Sequence, residues 1–467
     1  MKRLVLIAFI ILLIPLKSQP FSVEDFIYSQ QYQYQNHYKN FNKISTFGPL
    51  AYSNYLDNKS IDSLKFKLIG GLEFINTNNK GSAFGLRFYT SYHFKNNFYL
   101  YFNPRLVTDV KLFPRYSGLP REIRRMGFNS GEIDLSGIGF SNESFIFQLG
   151  RGRQSWGAGN DIQLVLSNNS IPYDHFLFGI NLKNLRARYF HGYLERFKKH
   201  NRYIVGKGIE YSNQKNLLIS LSEIIIYSGN NRPIDISYLN PISSHLEIEM
   251  NERQNFDGTG SGNAAWQLSL EYFIRSNIRL SFNYVVDEYV LDKSERELGK
   301  INLDATSAKF VYIVKNTKYD IHSYFFHLIK IGTHTFRHEA IRNEDDDIYY
   351  GFNNFVHRGL PIGWEAGSDS RDLRFGINLG KQDKYNFKLS SGFLEIGSNS
   401  ILLDPYKPYE NTYETKFPSG RPISKNYVLF KCFWFYNQKS SLGFNFKYNN
   451  YNNEGYFFHL IHNYNFY

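Results

Sequence analysis

The sequence predicts an all-β fold: a transmembrane antiparallel β-barrel of about 18 strands, preceded by a short N-terminal periplasmic helical segment. Three observations carry this. From Leu64 onward apolar residues recur with a period of two, as in Trp266, Leu268, Leu270, Tyr272 and Ile274 against Gln267, Ser269 and Glu271. Aromatic residues make up 18% of the 467 residues, with 42 Phe and 37 Tyr, the composition of interfacial girdles rather than of a soluble core. Mean hydropathy is nevertheless −0.42, as expected when only alternate residues meet lipid and the others face a polar lumen.

Taken in order, residues 1–19 read as a signal peptide. Lys2 and Arg3 precede the apolar run Leu4 to Ile14, Pro15 breaks it, and cleavage falls between residues 18 and 21. That run is too short to span a bilayer as a helix, which takes about 20 residues. The single Cys432 excludes an internal disulfide framework. Residues 20–62 form the predicted periplasmic segment: Ser22 ahead of Glu24 and Asp25 reads as a helix start, and Val23, Phe26, Ile27, Tyr34, Tyr38 and Phe41 follow near helical spacing.

The barrel occupies 63–467. The predicted strands are 64–75, 82–94, 98–110, 132–140, 144–152, 176–183, 185–195, 202–212 and 217–227 in the first half. The second half adds 263–275, 278–290, 303–315, 318–336, 370–380, 385–394, 425–437, 441–450 and 455–467. The count is even, and the connections sort by side. Short turns such as Lys95-Asn96-Asn97 and Ser276-Asn277 fall at every even crossing, whereas 111–131, 153–175, 228–262, 337–369 and 395–424 fall on the opposite side. Short periplasmic turns and long outer loops are the barrel pattern.

One stretch breaks the alternation. Gly150, Gly157 and Gly159 lie with Arg151, Arg153 and Trp156 at the end of the fifth strand, where glycine permits a sharp turn. Arg151 and Arg153 are two residues apart, so on one strand they share a side. That side is predicted to be the lumen, with Asp109, Glu132 or Asp134 as partners and Trp156 packed on a folded-in loop. The expected role is structural.

The outer loops offer the residues that bind sugars, aromatic faces for stacking and cations for carboxylates. Candidate polysaccharide contacts are Arg115, Tyr116, Arg124 and Arg125 in one loop, His357, Arg358 and Trp364 in a second, and Tyr409 and Arg421 in a third. A net charge of +12 suits phosphate- or carboxylate-rich neighbours, including lipopolysaccharide and acidic glycans, and export argues against nucleic acid. The run Glu344-Asp345-Asp346-Asp347 lacks the spacing of a known calcium loop and is read as a solvated acidic loop, so no metal is expected. Four histidines, His322, His327, His334 and His338, fall on or near one strand, but no serine is marked as a nucleophile. The expectation is a non-enzymatic protein with no cofactor.

Three stretches together resemble the Wzi-type capsule assembly family of outer-membrane proteins, in particular its Bacteroidetes branch. They are G-R-G-R-Q-S-W-G-A-G with the L-V-L-S-N-N-S-I-P-Y-D that follows, Tyr238-Leu239-Asn240-Pro241 with Asp287-Glu288, and His338-Glu339 through His357-Arg358-Gly359-Leu360-Pro361-Ile362-Gly363 to Gly367-Ser368-Asp369. The similarity covers most of the mature chain. It implies an 18-stranded barrel in the outer membrane of a Gram-negative bacterium, inserted by the barrel-assembly machinery. It also implies a lectin-like role in holding capsular or other surface polysaccharide. A channel for small solutes, or a gliding or adhesion component, uses the same barrel and stays open as an alternative.

Overall fold

The computed structural model describes residues 44–48, 66–78, 80–94, 97–255, 262–316, 320–339, 351–381, 384–409, 416–437, 439–450 and 455–466. The predicted signal peptide, most of the 20–62 segment and the acidic run 344–347 lie outside them. Eighteen antiparallel strands close one barrel. In chain order they are β1 (Phe66–Thr77), β2 (Gly81–Phe94), β3 (Phe98–Val107), β4 (Ser130–Ser141), β5 (Phe145–Gly152) and β6 (Tyr173–Asn181). Next come β7 (Leu185–Phe197), β8 (His200–Ser212), β9 (Leu217–Asn230), β10 (Asn263–Arg275), β11 (Ile278–Glu288) and β12 (Leu303–Asn316). The wall is completed by β13 (Asp320–Ile331), β14 (Ser370–Lys381), β15 (Tyr385–Ile396), β16 (Ile423–Phe435), β17 (Ser440–Asn449) and β18 (Gly455–Asn465). Each strand pairs with its neighbours in sequence, and β18 returns to β1 with Asn465 opposite Ile69. Closure leaves no unpaired edge, the condition for a sheet in hydrocarbon.

Every predicted strand coincides with an observed one. The largest difference is at 318–336, where β13 stops at Ile331 and places His334 and His338 in the following loop rather than on the strand. Alternation sets the two faces. On β5 the side chains of Phe145, Phe147 and Leu149 are exposed on the outside, while Ile146 and Gln148 are buried within. Period-two alternation produces this directly, because a one-residue shift would exchange the faces.

The lumen is filled by the outer loops. Loop 153–172 leaves β5, crosses the barrel and meets the opposite wall: Ala158 N–H donates to Asn283 Oδ1 on β11 at 2.6 Å, and Asp161 pairs with Lys309 on β12 and Lys388 on β15. Trp156, Ile162, Leu164, Val165 and Leu166 are buried in one apolar cluster with inward residues of the wall and with Val356, Ile362 and Trp364 of loop 332–369. Burying each such side chain stabilises by about 1.5–3 kcal/mol. The two loops interlock through backbone. Ser167 N–H donates to Ile362 O at 3.1 Å, Trp364 N–H donates to Leu164 O at 3.0 Å, and a Cβ on Gly363 would lie 1.8 Å from Leu164 O.

Of the predicted periplasmic segment 20–62, only residues 44–48 are among the described residues. Phe47 pairs in register with Trp156 and packs on its ring at 4.7 Å, and Thr46 Oγ1 donates to Glu210 Oε2 on β8 at 2.7 Å. These five residues therefore lie inside the lumen, with Phe47 in the same buried cluster as Trp156.

A second long loop goes the other way. Residues 231–255, with the helix α1 (His245–Met250), fold against the outer surface of β7–β9. Tyr238 and Ile248 are buried there against Tyr189, Tyr203, Val205, Ile225 and Tyr227, and the rings of Tyr227 and Tyr238 stack at 4.6 Å.

Candidate functional site

The outer mouth is built by loops 108–129, 332–369 and 397–422. In the first, Val110–Leu112 form a single 3-10 turn capped by Asp109, whose Oδ1 accepts from Lys111 N at 3.0 Å. Leu112, Phe113 and Tyr116 then pack on Ile75, Ala83 and Val107, which holds the base of the loop down inside the wall. Gly85 makes room for this, since a Cβ there would meet the Phe113 ring at 2.9 Å. Beyond Ser117 the chain turns outward in a small hairpin, closed by mutual backbone bonds between Arg125 and Phe128 at 3.0 Å. Arg121, Arg124 and Arg125 stand exposed on it.

The predicted sugar contacts divide sharply. Arg124, Arg125, Arg358 and Arg421 are exposed at the mouth. Trp364 is 3% exposed and packs over Arg374 in the lumenal core, so its assignment as a sugar platform is corrected. Tyr116 and Tyr409 are corrected on the same ground. Tyr116 belongs to the packed base of its loop, and Tyr409 is buried with its ring stacked on His334 at 4.8 Å and its hydroxyl donating to Glu288 at 2.9 Å. These three aromatics are buried because their loops fold inward, where burial outweighs solvent contact.

His357 is likewise corrected. It is 1% exposed, and burial pushes its imidazole down to about 4, leaving it neutral and unable to pair with an anion at neutral pH. A lowered histidine pKa means the unfolded loop binds more protons between about pH 6.5 and about pH 4. Stability contributed by the neutral form is thus full above pH 6.5 and declines as the pH falls through that window. His357→Gln is expected to flatten the acid-induced loosening of residues 351–367, measured by hydrogen exchange at pH 7 and pH 4.5; equal slopes in both proteins would contradict this.

Arg115 is half-buried with a positive φ of 60°, and its guanidinium lies 3.5 Å from Glu365. Burial draws it down to about 10, so it remains charged. Its role is to tie the first loop to the plug.

The glycine–arginine–tryptophan stretch also differs in part from expectation. Arg151 follows Leu149 on the outer face of β5 and reaches over the rim to Ile133 O at 2.9 Å and Asp174 at 3.3 Å. Arg153 turns inward to Asp134 at 2.5 Å and to Ser170 O at 2.7 Å. The two do not share a side because β5 ends at Gly152 and the alternation ends with it. Trp156 packs in the folded-in loop between Phe47 and Phe190. Gly157 and Gly159 have φ of 131° and 69°, which glycine adopts without strain, and Gly150 backs directly onto Ser136 O across the sheet.

Sequence reasoning missed the knot that fixes the mouth. Arg202 on β8 is fully buried. It pairs with Glu195 at 2.6 Å and donates to the carbonyls of Phe352, Asn354 and Val356. Glu195 also accepts from the Tyr406 hydroxyl at 2.7 Å and from Arg358 N–H at 3.0 Å. A second knot is Asp369, buried with φ of 55°, which accepts from Ser419 N–H at 2.9 Å, Asn399 N–H at 3.1 Å and Thr333 Oγ1 at 3.1 Å. The turn-forming run Gly367-Ser368-Asp369 was a legible sign of it. The first knot fixes the backbone at Arg358, whose side chain is exposed at the mouth.

No family model matches the chain, and no curated protein matches it. Among solved structures it is similar to Wzi, an outer-membrane protein involved in group 1 capsule assembly in Escherichia coli and described as a carbohydrate-binding β-barrel. Sequence identity is 12% and the TM-score 0.58, over 85% of this chain and 84% of that one. The outer-membrane protein OpdK of Pseudomonas aeruginosa matches with 10% identity and a TM-score of 0.47, over 86% and 98%. OprD of the same organism matches with 12% identity and a TM-score of 0.45, over 86% and 93%. At such identities the likeness is one of fold. The chain is an outer-membrane β-barrel of the Gram-negative type.

Proposed function

We propose that this protein is a non-enzymatic, lectin-like component of surface-polysaccharide assembly, of the Wzi type and its Bacteroidetes branch, that holds an acidic glycan at its outer mouth. The observation that carries the reading is the pairing of a filled lumen with an exposed cationic rim. Loops that would form the vestibule of a channel are spent on a packed plug, while Arg121, Arg124, Arg125, Arg358 and Arg421 remain exposed above it. Guanidinium groups bind carboxylates and phosphates in a bidentate fork, the chemistry an acidic polysaccharide presents repeatedly along its length. Likeness to a barrel described as carbohydrate-binding supports the same reading.

The test is direct. Purified protein titrated with polygalacturonate is expected to bind it in preference to neutral dextran, with affinity that falls as salt rises. Replacing Arg124 and Arg125 by Ala is expected to weaken binding roughly three- to tenfold, about 0.3–0.7 kcal/mol for each exposed charge. The barrel should still run as a folded species on an unheated gel. Equal binding of both glycans, or no loss in the double variant, would remove the proposal.

A second reading, a channel for small anionic solutes, draws on Lys309 and Lys388, which face the lumen around Asp161. Although burial opposes it, those two lysines hold the Asp161 carboxyl well below the usual carboxylate range.

A further inference from the structure

The segment folded against the outside of the wall covers something a lipid-facing surface does not tolerate. Counting outward positions upward from the periplasmic turn at 213–216, β8 presents Tyr211, Ile209 and then Lys207, and β9 presents Leu217, Ile219, Leu221 and then Glu223. The neighbouring hairpin, counted the same way from its turn at 276–277, has Leu270 third on β10 and Tyr284 fourth on β11. Lys207 and Glu223 are cross-strand partners, 3.1 Å apart, at a depth where the adjoining wall is apolar. A charge on the lipid face of a barrel is most costly at mid-depth.

Residues 231–255 shield this pair. Lys207 donates to Ser243 O, His245 N–H donates to Glu223 Oε1 at 2.9 Å, and Tyr189 donates to Tyr238 O at 2.9 Å. The pair is left almost without solvent contact. Two ion pairs of the segment are internal, Arg232–Asp235 at 2.7 Å and Glu247–Arg253 at 2.6 Å, and His245 lies 3.3 Å from Glu249. Its far side is apolar: Ile242 is 89% exposed, Met250 74% and Leu246 59%, and Ile236 and Leu239 stand beside them. Leu246 and Met250 are four apart on α1 and share one face. Directly below, on the same outer wall, the exposed residues are Ile209, Leu221, Trp266 and Leu268.

We propose that residues 231–255 form a saddle seated in the outer leaflet. Its inner side seals the Lys207–Glu223 pair, and its outer side, Ile236, Leu239, Ile242, Leu246 and Met250, lies against lipid acyl chains. The occupant is lipid because the apolar side continues the lipid-facing band of the wall without a break in character, and because the segment's ion pairs are internal rather than offered to a partner.

The test uses the full mature chain in liposomes, with Cys432→Ser as background and a single fluorescent label at Ile242→Cys or Met250→Cys. Leu268→Cys serves as a lipid-facing reference and Arg124→Cys as an aqueous one. With phospholipid carrying a nitroxide at acyl carbon 5, quenching at 242 and 250 is expected within about twofold of that at 268, while aqueous iodide quenches strongly only at 124. Iodide quenching at 242 and 250 equal to that at 124 would overturn the saddle. Energy transfer between labels at 250 on two copies, without nitroxide quenching, would overturn it in favour of a dimer contact.

Discussion

Replacing residues 154–170 with a short glycine–serine linker is expected to convert a barrel of low conductance into one with large, stable steps in a planar bilayer. Eighteen strands enclose a lumen wide enough for water, so the barrier is what fills it. Loop 153–172 supplies the centre of that filling. It carries Trp156 and the run Ile162 to Leu166 into the core, and its polar atoms are bonded to β11, β12 and β15 on the far side. Loop 356–367 loses its main partner at the same time, because Ile362 and Trp364 bond to the backbone of Ser167 and Leu164, and Gly363 O accepts from the Ser167 hydroxyl. The effect should therefore exceed that of any single substitution. The wall does not depend on this loop for its hydrogen bonds, so the deletion variant is expected to insert normally. A conductance unchanged from the parent would mean that the remaining loops and residues 44–48 suffice to block the lumen.

The second large effect is expected at Arg202. Arg202→Ala leaves Glu195 as a buried carboxylate short of its cation, and it strands the carbonyls of Phe352, Asn354 and Val356. Removing one partner of a buried pair costs about 3–5 kcal/mol. The loss should appear locally, as faster hydrogen exchange and new protease cleavage across 351–358, with the barrel wall intact. Arg202→Lys keeps the charge but not the planar fork that reaches three carbonyls and a carboxylate at once, and it should recover only part of the protection. Full protection in Arg202→Ala would show that the knot is held by the Phe197–Tyr406 ring stack, at 4.1 Å, rather than by the guanidinium.

The wall was legible in the sequence because a strand's two faces obey a local rule. Ile278, Leu280 and Phe282 alternate with Arg279, Ser281 and Asn283 whatever the rest of the chain does, and each turn announces itself by its length. Loops obey no such rule. Trp364 and Tyr409 look like glycan platforms in the sequence because an aromatic in an outer loop has two destinations, solvent-facing or inward, and only the folded contacts decide between them. Arg151 and Arg153 were assigned one side by an alternation that stops at Gly152, one residue too early for the rule to hold. Lys207 and Glu223 interrupt the apolar series on β8 and β9, and that break was the available sign that something covers the wall there. Of the candidate glycan contacts, the exposed arginines were legible as charge, and the carboxylate knot that fixes Arg358 was not.

The interlock of the two plug loops has a consequence for the order in which the molecule can be made. Ser167 and Gly363 touch across 196 residues of chain. Contacts of such separation form late, since most of the polypeptide must first be brought together. The wall grows hairpin by hairpin from local pairings, but its interior waits for the C-terminal half. Until then Leu164, Val165 and Leu166 lack the loop that covers them, so the inside of this barrel becomes solid only once its C-terminal half has arrived.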